Sequence, residues 1–110
     1  MLEATAVLTR ANGSRILDLE EFIEGYRKTA LAKDEYLSKI SLSIPERWSS
    51  FAFRKLSKRY EDDISSVSIA VFLLHDNVRI NEIRIALGGA GERALRLFEV
   101  EKIILGRRLI

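Results

Sequence analysis

From Glu35 onward apolar and polar side chains alternate, and this period of two dominates the chain's hydrophobic pattern. Leu37, Lys39, Ser41 and Ser43 interleave with Ile40, Leu42 and Ile44, which predicts a half-buried strand ending at Pro45. A second strand is expected over residues 48–56, with Phe51, Phe53 and Lys55 on one side, and a third over residues 64–74. Val78, Ile80, Ile83, Ile85 and Leu87 mark a fourth, ended by Gly88-Gly89, and His75-Asp76-Asn77 reads as the turn between the last two. The period then changes. Ala94, Leu97, Phe98, Glu101, Ile104 and Leu105 follow three-and-four spacing, which predicts an amphipathic helix over residues 93–105 with Gly106 just past its end.

Upstream, residues 3–9 have strand composition, and Asn12-Gly13 is a turn signal between them and Arg15-Ile16-Leu17, so the pair reads as a hairpin. Residues 18–25 read as a short helix, with Asp18 as its cap, Glu20 and Glu21 in the first turn, and Gly25 as its stop. The fold class expected is α+β: an antiparallel sheet of three to four strands packed against helices, with one face left for solvent or a partner.

Composition narrows the functions available. The 110 residues are 47% hydrophobic and 31% charged, with a single proline, as in a folded domain with one two-layer core. There is no cysteine, which excludes disulfides and thiolate or iron–sulfur ligation by this segment and fits a cytoplasmic protein. The longest uncharged apolar stretch, residues 67–74, is far below the roughly 18–20 residues of a membrane helix, and no signal peptide is expected behind Glu3. A net charge of +2 with both signs interspersed says little about partners.

Self-contained catalysis is not expected. The one histidine, His75, falls at a hairpin tip and reads as a solvated turn residue, and no histidine–carboxylate cluster has metal-ligand spacing. Backbone amides of Gly88-Gly89-Ala90-Gly91 could hold an anion, although a strand-to-helix turn needs glycine in any case. Four cations between Arg54 and Arg59 suggest nucleic-acid contact. The carboxylates of Glu61, Asp62 and Asp63 follow within a Debye length of about 8 Å and oppose that reading, leaving a solvated, salt-bridged loop.

The same loop carries a resemblance. Lys55-Leu56-Ser57-Lys58-Arg59-Tyr60-Glu61-Asp62-Asp63-Ile64-Ser65 resembles the flavin-domain loop of the molybdenum hydroxylases, most like that of xanthine dehydrogenase small subunits. In register with it, Phe22-Ile23-Glu24-Gly25-Tyr26-Arg27-Lys28-Thr29 is similar to the stretch joining that family's flavin-binding lobe to its C-terminal lobe. Glu35-Tyr36-Leu37, Ile83-Arg84-Ile85-Ala86-Leu87-Gly88-Gly89-Ala90 and residues 99–106 resemble the strand, strand and helix that follow.

The resemblance implies a fold like the carbon monoxide dehydrogenase flavoprotein C-terminal domain. Residues 1–30 would be the end of the flavin-binding lobe and its linker, and residues 31–110 the C-terminal α+β lobe without the family's last helix. It implies part of an oxidoreductase, not catalytic alone, that covers FAD while electrons pass from iron–sulfur clusters to NAD. The partners implied are the N-terminal FAD-binding lobe and the iron–sulfur and molybdenum-cofactor subunits. Lys55 matches a basic position beside the flavin, Leu37 an apolar one near the ring, and Asp62 an acidic residue on a mobile loop next to it. Their plain readings are a strand-edge charge, a core leucine and a salt-bridge partner of Arg59. The family's glycine-rich phosphate-binding stretches have no counterpart here, so an excised domain, a truncated product or a small stand-alone relative is expected, prone to self-association through its uncovered face. The alternative is an assembly domain of the same fold that no longer binds FAD.

Overall fold

The computed structural model describes residues 2–45, 48–58 and 66–109, which divide into two compact units, Leu2–Ile44 and Pro45–Ile110. In the first unit β1 (Thr5–Arg10) and β2 (Gly13–Asp18) form the expected hairpin, with Arg10 opposite Gly13, so the loop residues are Ala11 and Asn12. Helix α1 (Leu19–Phe22) is a single turn. The chain then forms a small ladder of β3 (Ile23–Gly25) and β4 (Lys28–Thr29) where helix was expected to run on to Gly25. On the other side of β1 lies β5 (Tyr36–Ser41), giving the order β2-β1-β5. This pairing puts β5 with the hairpin, and the division into compact units falls after Ile44.

Plain alternation does not survive along β5. The β1–β5 register shifts between Val7 and Leu8, where Val7 faces Lys39 and Leu8 faces Leu37, so Ser38 is the extra residue of a bulge. Its hydroxyl donates to the Val7 carbonyl at 3.0 Å. The bulge brings Leu37 and Ile40, three apart in sequence, opposite Leu8 and Ala6. The core of this unit is Ala6, Leu8 and Phe22, with Leu17 and Leu19 packed against it, while Ile40 and Leu42 remain exposed.

The second unit holds one antiparallel sheet in the order β6-β7-β8-β9, formed by β6 (Ser49–Leu56), β7 (Val67–His75), β8 (Ile80–Gly88) and β9 (Leu95–Arg96). The β6–β7 register is unbroken from Ser49↔Leu74 to Leu56↔Val67. At the β7–β8 turn the Asp76 carboxylate accepts from the Val78 and Arg79 N–H groups at 3.0 and 2.8 Å, and Asn77 takes the left-handed conformation with φ 72°. Helix α2 (Phe98–Ile104) begins later than its apolar spacing predicts. The reason is the edge of β8: Leu95 and Arg96 pair with Leu87 and Ala86, and the Leu97 N–H donates to the Ile85 carbonyl, so these residues are strand before the helix can start.

Alternation along β8 sends Ile83 and Ile85 to one face, where they pack with Ile80, Val71, Leu73, Leu97, Ile104 and Leu109. On the opposite face Phe72 is buried, with the Arg84 guanidinium 5.1 Å from its ring centroid. The architecture is antiparallel sheet with short helices, as the sequence led us to expect.

Candidate functional site

Register fixes which side chains share the face of β6 that carries Lys55. Phe51, Phe53 and Lys55 alternate along β6, opposite Phe72, Ala70 and Ser68 of β7, which in turn lie opposite Arg84, Ala86 and Gly88 of β8. Exposed Lys55 and Phe53 therefore stand beside a half-buried floor of serine, alanine and glycine. Such a floor leaves room for a flat ring, with an ammonium at its rim to favour negative charge. Among the described residues no glycine-built cradle for phosphates accompanies it. A Cβ at Gly88 would come within 2.5 Å of the Ser68 hydroxyl, and one at Gly89, where φ is +80°, within 2.4 Å of the Ser66 carbonyl oxygen. These glycines serve the close approach of the chain's own β7 end. The residues thus fit the ring end of a flavin and not its pyrophosphate.

Leu37 belongs to the first unit and is part-exposed beside the Ser38 bulge. Lys55 belongs to the second, and Asp62 with its neighbours from Arg59 to Ser65 lies outside the described residues. His75, expected as a solvated residue of the turn, is instead the half-buried last residue of β7: its Nδ1 accepts from the Asn77 N–H at 3.3 Å, and its Nε2 is 3.5 Å from the Ser50 hydroxyl.

Two buried carboxylates position these elements. Glu35, immediately before β5, accepts a forked pair from Arg15 at 2.8 and 2.9 Å, the Ala32 N–H at 3.0 Å and Arg10 at 3.3 Å. The Arg15 hydrogen bonds and the Ala32 amide, against the pull of desolvation, lower its pKa to about 2. The clamp holds the loop entering β5 and with it the start of the strand that carries Leu37. Its partners are distant in sequence, and Glu35 was legible only as part of the Glu-Tyr-Leu resemblance.

Glu101 is the second. From the inner side of α2 it accepts the Ile85 N–H at 2.8 Å and both arms of Arg96 at 2.9 and 3.0 Å. Burial raises its pKa, but the Arg96 and Ile85 hydrogen bonds outweigh that and leave it below the usual carboxylate range. Its sequence signal was a glutamate in the apolar stripe, at the spacing of an inward-facing position.

No group of three or more acidic or histidine side chains among the described residues could hold a metal ion, and no helix there is long and apolar enough to cross a membrane. Residues 51–110 match the model of the CO dehydrogenase flavoprotein C-terminal domain. Caffeine dehydrogenase subunit beta of Pseudomonas sp. (strain CBB1) is 33% identical over 86% of this chain and 32% of its own length. The nicotinate dehydrogenase FAD-subunit of Eubacterium barkeri is 30% identical over 98% of this chain and 38% of its own. A chain of carbon monoxide dehydrogenase from Hydrogenophaga pseudoflava superposes with a TM-score of 0.89 at 28% identity, over 99% of this chain and 38% of that one. The chain thus spans about a third of the length of each of these three relatives. With more than half of its residues matched by that family's model and its whole fold by a member's structure, the chain belongs to the CO dehydrogenase flavoprotein C-terminal domain family.

Proposed function

We propose that the chain is the C-terminal part of the FAD-carrying component of a molybdenum hydroxylase, covering the flavin ring while electrons pass to NAD. The observation that carries this is the match over nearly the whole chain to the nicotinate dehydrogenase FAD-subunit and to carbon monoxide dehydrogenase. Bound FAD would accept electrons from iron–sulfur clusters and pass them on. Lys55, at the rim of the small-residue floor, would hold its ammonium near the ring and favour the reduced, negatively charged form. Leu37 would pack against the ring, and Asp62 would oppose the Lys55 charge from its loop. The pyrophosphate would be held by a preceding lobe, and the iron–sulfur and molybdenum-cofactor subunits would complete the electron path. A soluble, cytoplasmic assembly is consistent with this reading. The chain has no catalytic residue of its own in this scheme.

The test replaces the matching third of caffeine dehydrogenase subunit beta with this chain and measures FAD content and flavin potential in the assembled enzyme. Retention of FAD is expected, with Lys55→Gln lowering the two-electron potential by on the order of tens of millivolts as one nearby cation is removed. A well-folded chimera without FAD refutes the reading and leaves the assembly-domain alternative. FAD retained with an unchanged potential in Lys55→Gln removes Lys55 from the site.

A further inference from the structure

The two edges of the β6–β9 sheet are treated in opposite ways. The β8 edge is covered toward both of its ends. β9 pairs with Ala86 and Leu87, the Glu101 carboxylate takes the Ile85 N–H, and residues 106–109 return to pair with the strand's beginning through Gly106, Arg107 and Leu109. The other edge is β6, eight residues long and exposed from Ser50 to Leu56, with no strand beside it among the described residues. Protein sheets blunt such an edge with proline, charged side chains, a bulge, shortness or a covering element, and β6 carries charge only at its C-terminal end, in Arg54 and Lys55. β6 has none of these over Ser49-Ser50-Phe51-Ala52-Phe53, its ladder with β7 is regular, and Phe51 and Phe53 are each 51% exposed.

Backbone orientation decides what can pair there. The Trp48 carbonyl accepts from the His75 N–H and the Leu56 carbonyl from the Ser66 N–H, so even-numbered residues of β6 turn their backbone groups toward β7. Odd-numbered Phe51 and Phe53 then turn theirs outward. A second copy of the strand running antiparallel about a two-fold axis perpendicular to the sheet satisfies these groups if the axis passes through Ala52. In that register Phe51 faces Phe53 of the other copy, twice by symmetry, Ser50 faces Arg54, and Ser49 faces Lys55. Aromatic meets aromatic, and each cation meets a hydroxyl. Moving the axis to Phe53 sets Lys55 against Phe51 and brings the two Arg54 residues to diagonal positions about 7–8 Å apart, which disfavours that register.

We infer that β6 is a self-complementary docking edge, through which two copies of this chain join their four-stranded sheets into one sheet across Ala52. The inference stands apart from the flavin reading, because it rests on the strand's own register and not on any cofactor.

The chain's lack of cysteine makes the register testable. Ala52 faces its own symmetry mate in a non-hydrogen-bonded pair, with Cα atoms about 4.5 Å apart, within the span of a disulfide. Under mild oxidation Ala52→Cys is expected to give a covalent dimer, whereas Ser50→Cys, facing Arg54, is expected to form no disulfide across the two-fold. Sedimentation of the unmodified 110-residue chain should show a monomer–dimer equilibrium. Phe53→Lys should weaken it by about tenfold or more, since both symmetry-related aromatic pairs are lost together. Phe53→Pro should also weaken it, removing an outward N–H while leaving the bonds to β7 intact. Circular dichroism checks that each variant is folded. A chain that is monomeric at several hundred micromolar overturns the inference. So does a dimer that is not cross-linked through residue 52 or is indifferent to folded Phe53 variants.

Discussion

Removing the Glu101 carboxylate tests whether α2 is held to the sheet by one polar contact. In Glu101→Ala the N–H of Ile85, a residue only 6% exposed, loses its acceptor, and an unpaired buried donor costs about 1–3 kcal/mol. The Arg96 side chain is 26% exposed and can rehydrate, so losing its forked bond adds about 0.5–1 kcal/mol. Relief of the glutamate's own desolvation offsets part of this, and a net loss of about 2 kcal/mol is expected. Glu101→Gln keeps an oxygen for the Ile85 N–H and should lose about 1 kcal/mol. Glu99 on the same helix pairs with Lys102 in solvent, so Glu99→Ala should fall below about 0.5 kcal/mol.

Trp48, the only tryptophan, lies in the same unit and reports its unfolding in a urea titration. With a slope near 1 kcal/mol/M for a small domain, Glu101→Ala should lower the midpoint by about 2 M. The pH dependence follows from the lowered pKa of Glu101. Its stabilising effect is present above the ordinary glutamate range and lost as pH falls through the folded value, so wild type and Glu101→Gln should converge in acid. A midpoint for Glu101→Ala no lower than that of Glu99→Ala would refute the assignment.

Two further outcomes follow from the same contacts. Glu35 stabilises the first unit above its unfolded pKa near 4.5 and loses that effect as pH falls toward about 2. Arg15→Met should therefore move the acid transition, followed by circular dichroism, to higher pH. An unshifted transition would show that the clamp is not coupled to folding. Gly89→Ala combines a left-handed backbone with a clash against the Ser66 carbonyl and should lose about 2–4 kcal/mol. Gly106→Ala has a similar φ of +77° in open space and should lose about 1–2 kcal/mol, a difference readable in paired thermal melts.

The sequence carried the strands of the second unit well because alternation there is broken only near the β7–β8 turn, where the register shifts between Leu74 and His75: past it, Ile83 and Ile85 read as inward and are buried. It misled where one residue breaks a period. Ser38 is an ordinary polar position in the alternating pattern, yet as a bulge it aligns Leu37 with Ile40, which no period-two reading can do. Residues 93–97 extend the helical stripe in composition, but Leu95 and Arg96 pair with the edge of β8 and the Leu97 N–H donates to Ile85, so the helix starts only at Phe98. Both departures arise from non-local backbone pairing, which local spacing does not encode.

Charge was legible as composition and not as partnership. Arg10, Arg15 and Glu35 are separated by up to 25 residues, and only the β2-β1-β5 order brings them together. Glu101, in contrast, could have been recognised: a glutamate at an inward position of a short apolar stripe must find a donor, and Arg96 five residues earlier is within reach. Lys55 shows the limit of this reasoning. The pattern placed it beside Phe51 and Phe53, and the register adds the small-residue floor across the sheet. A cation beside such a floor becomes a flavin contact only if a second lobe brings the ring to it. The family match is what gives a reason to look for FAD at this face.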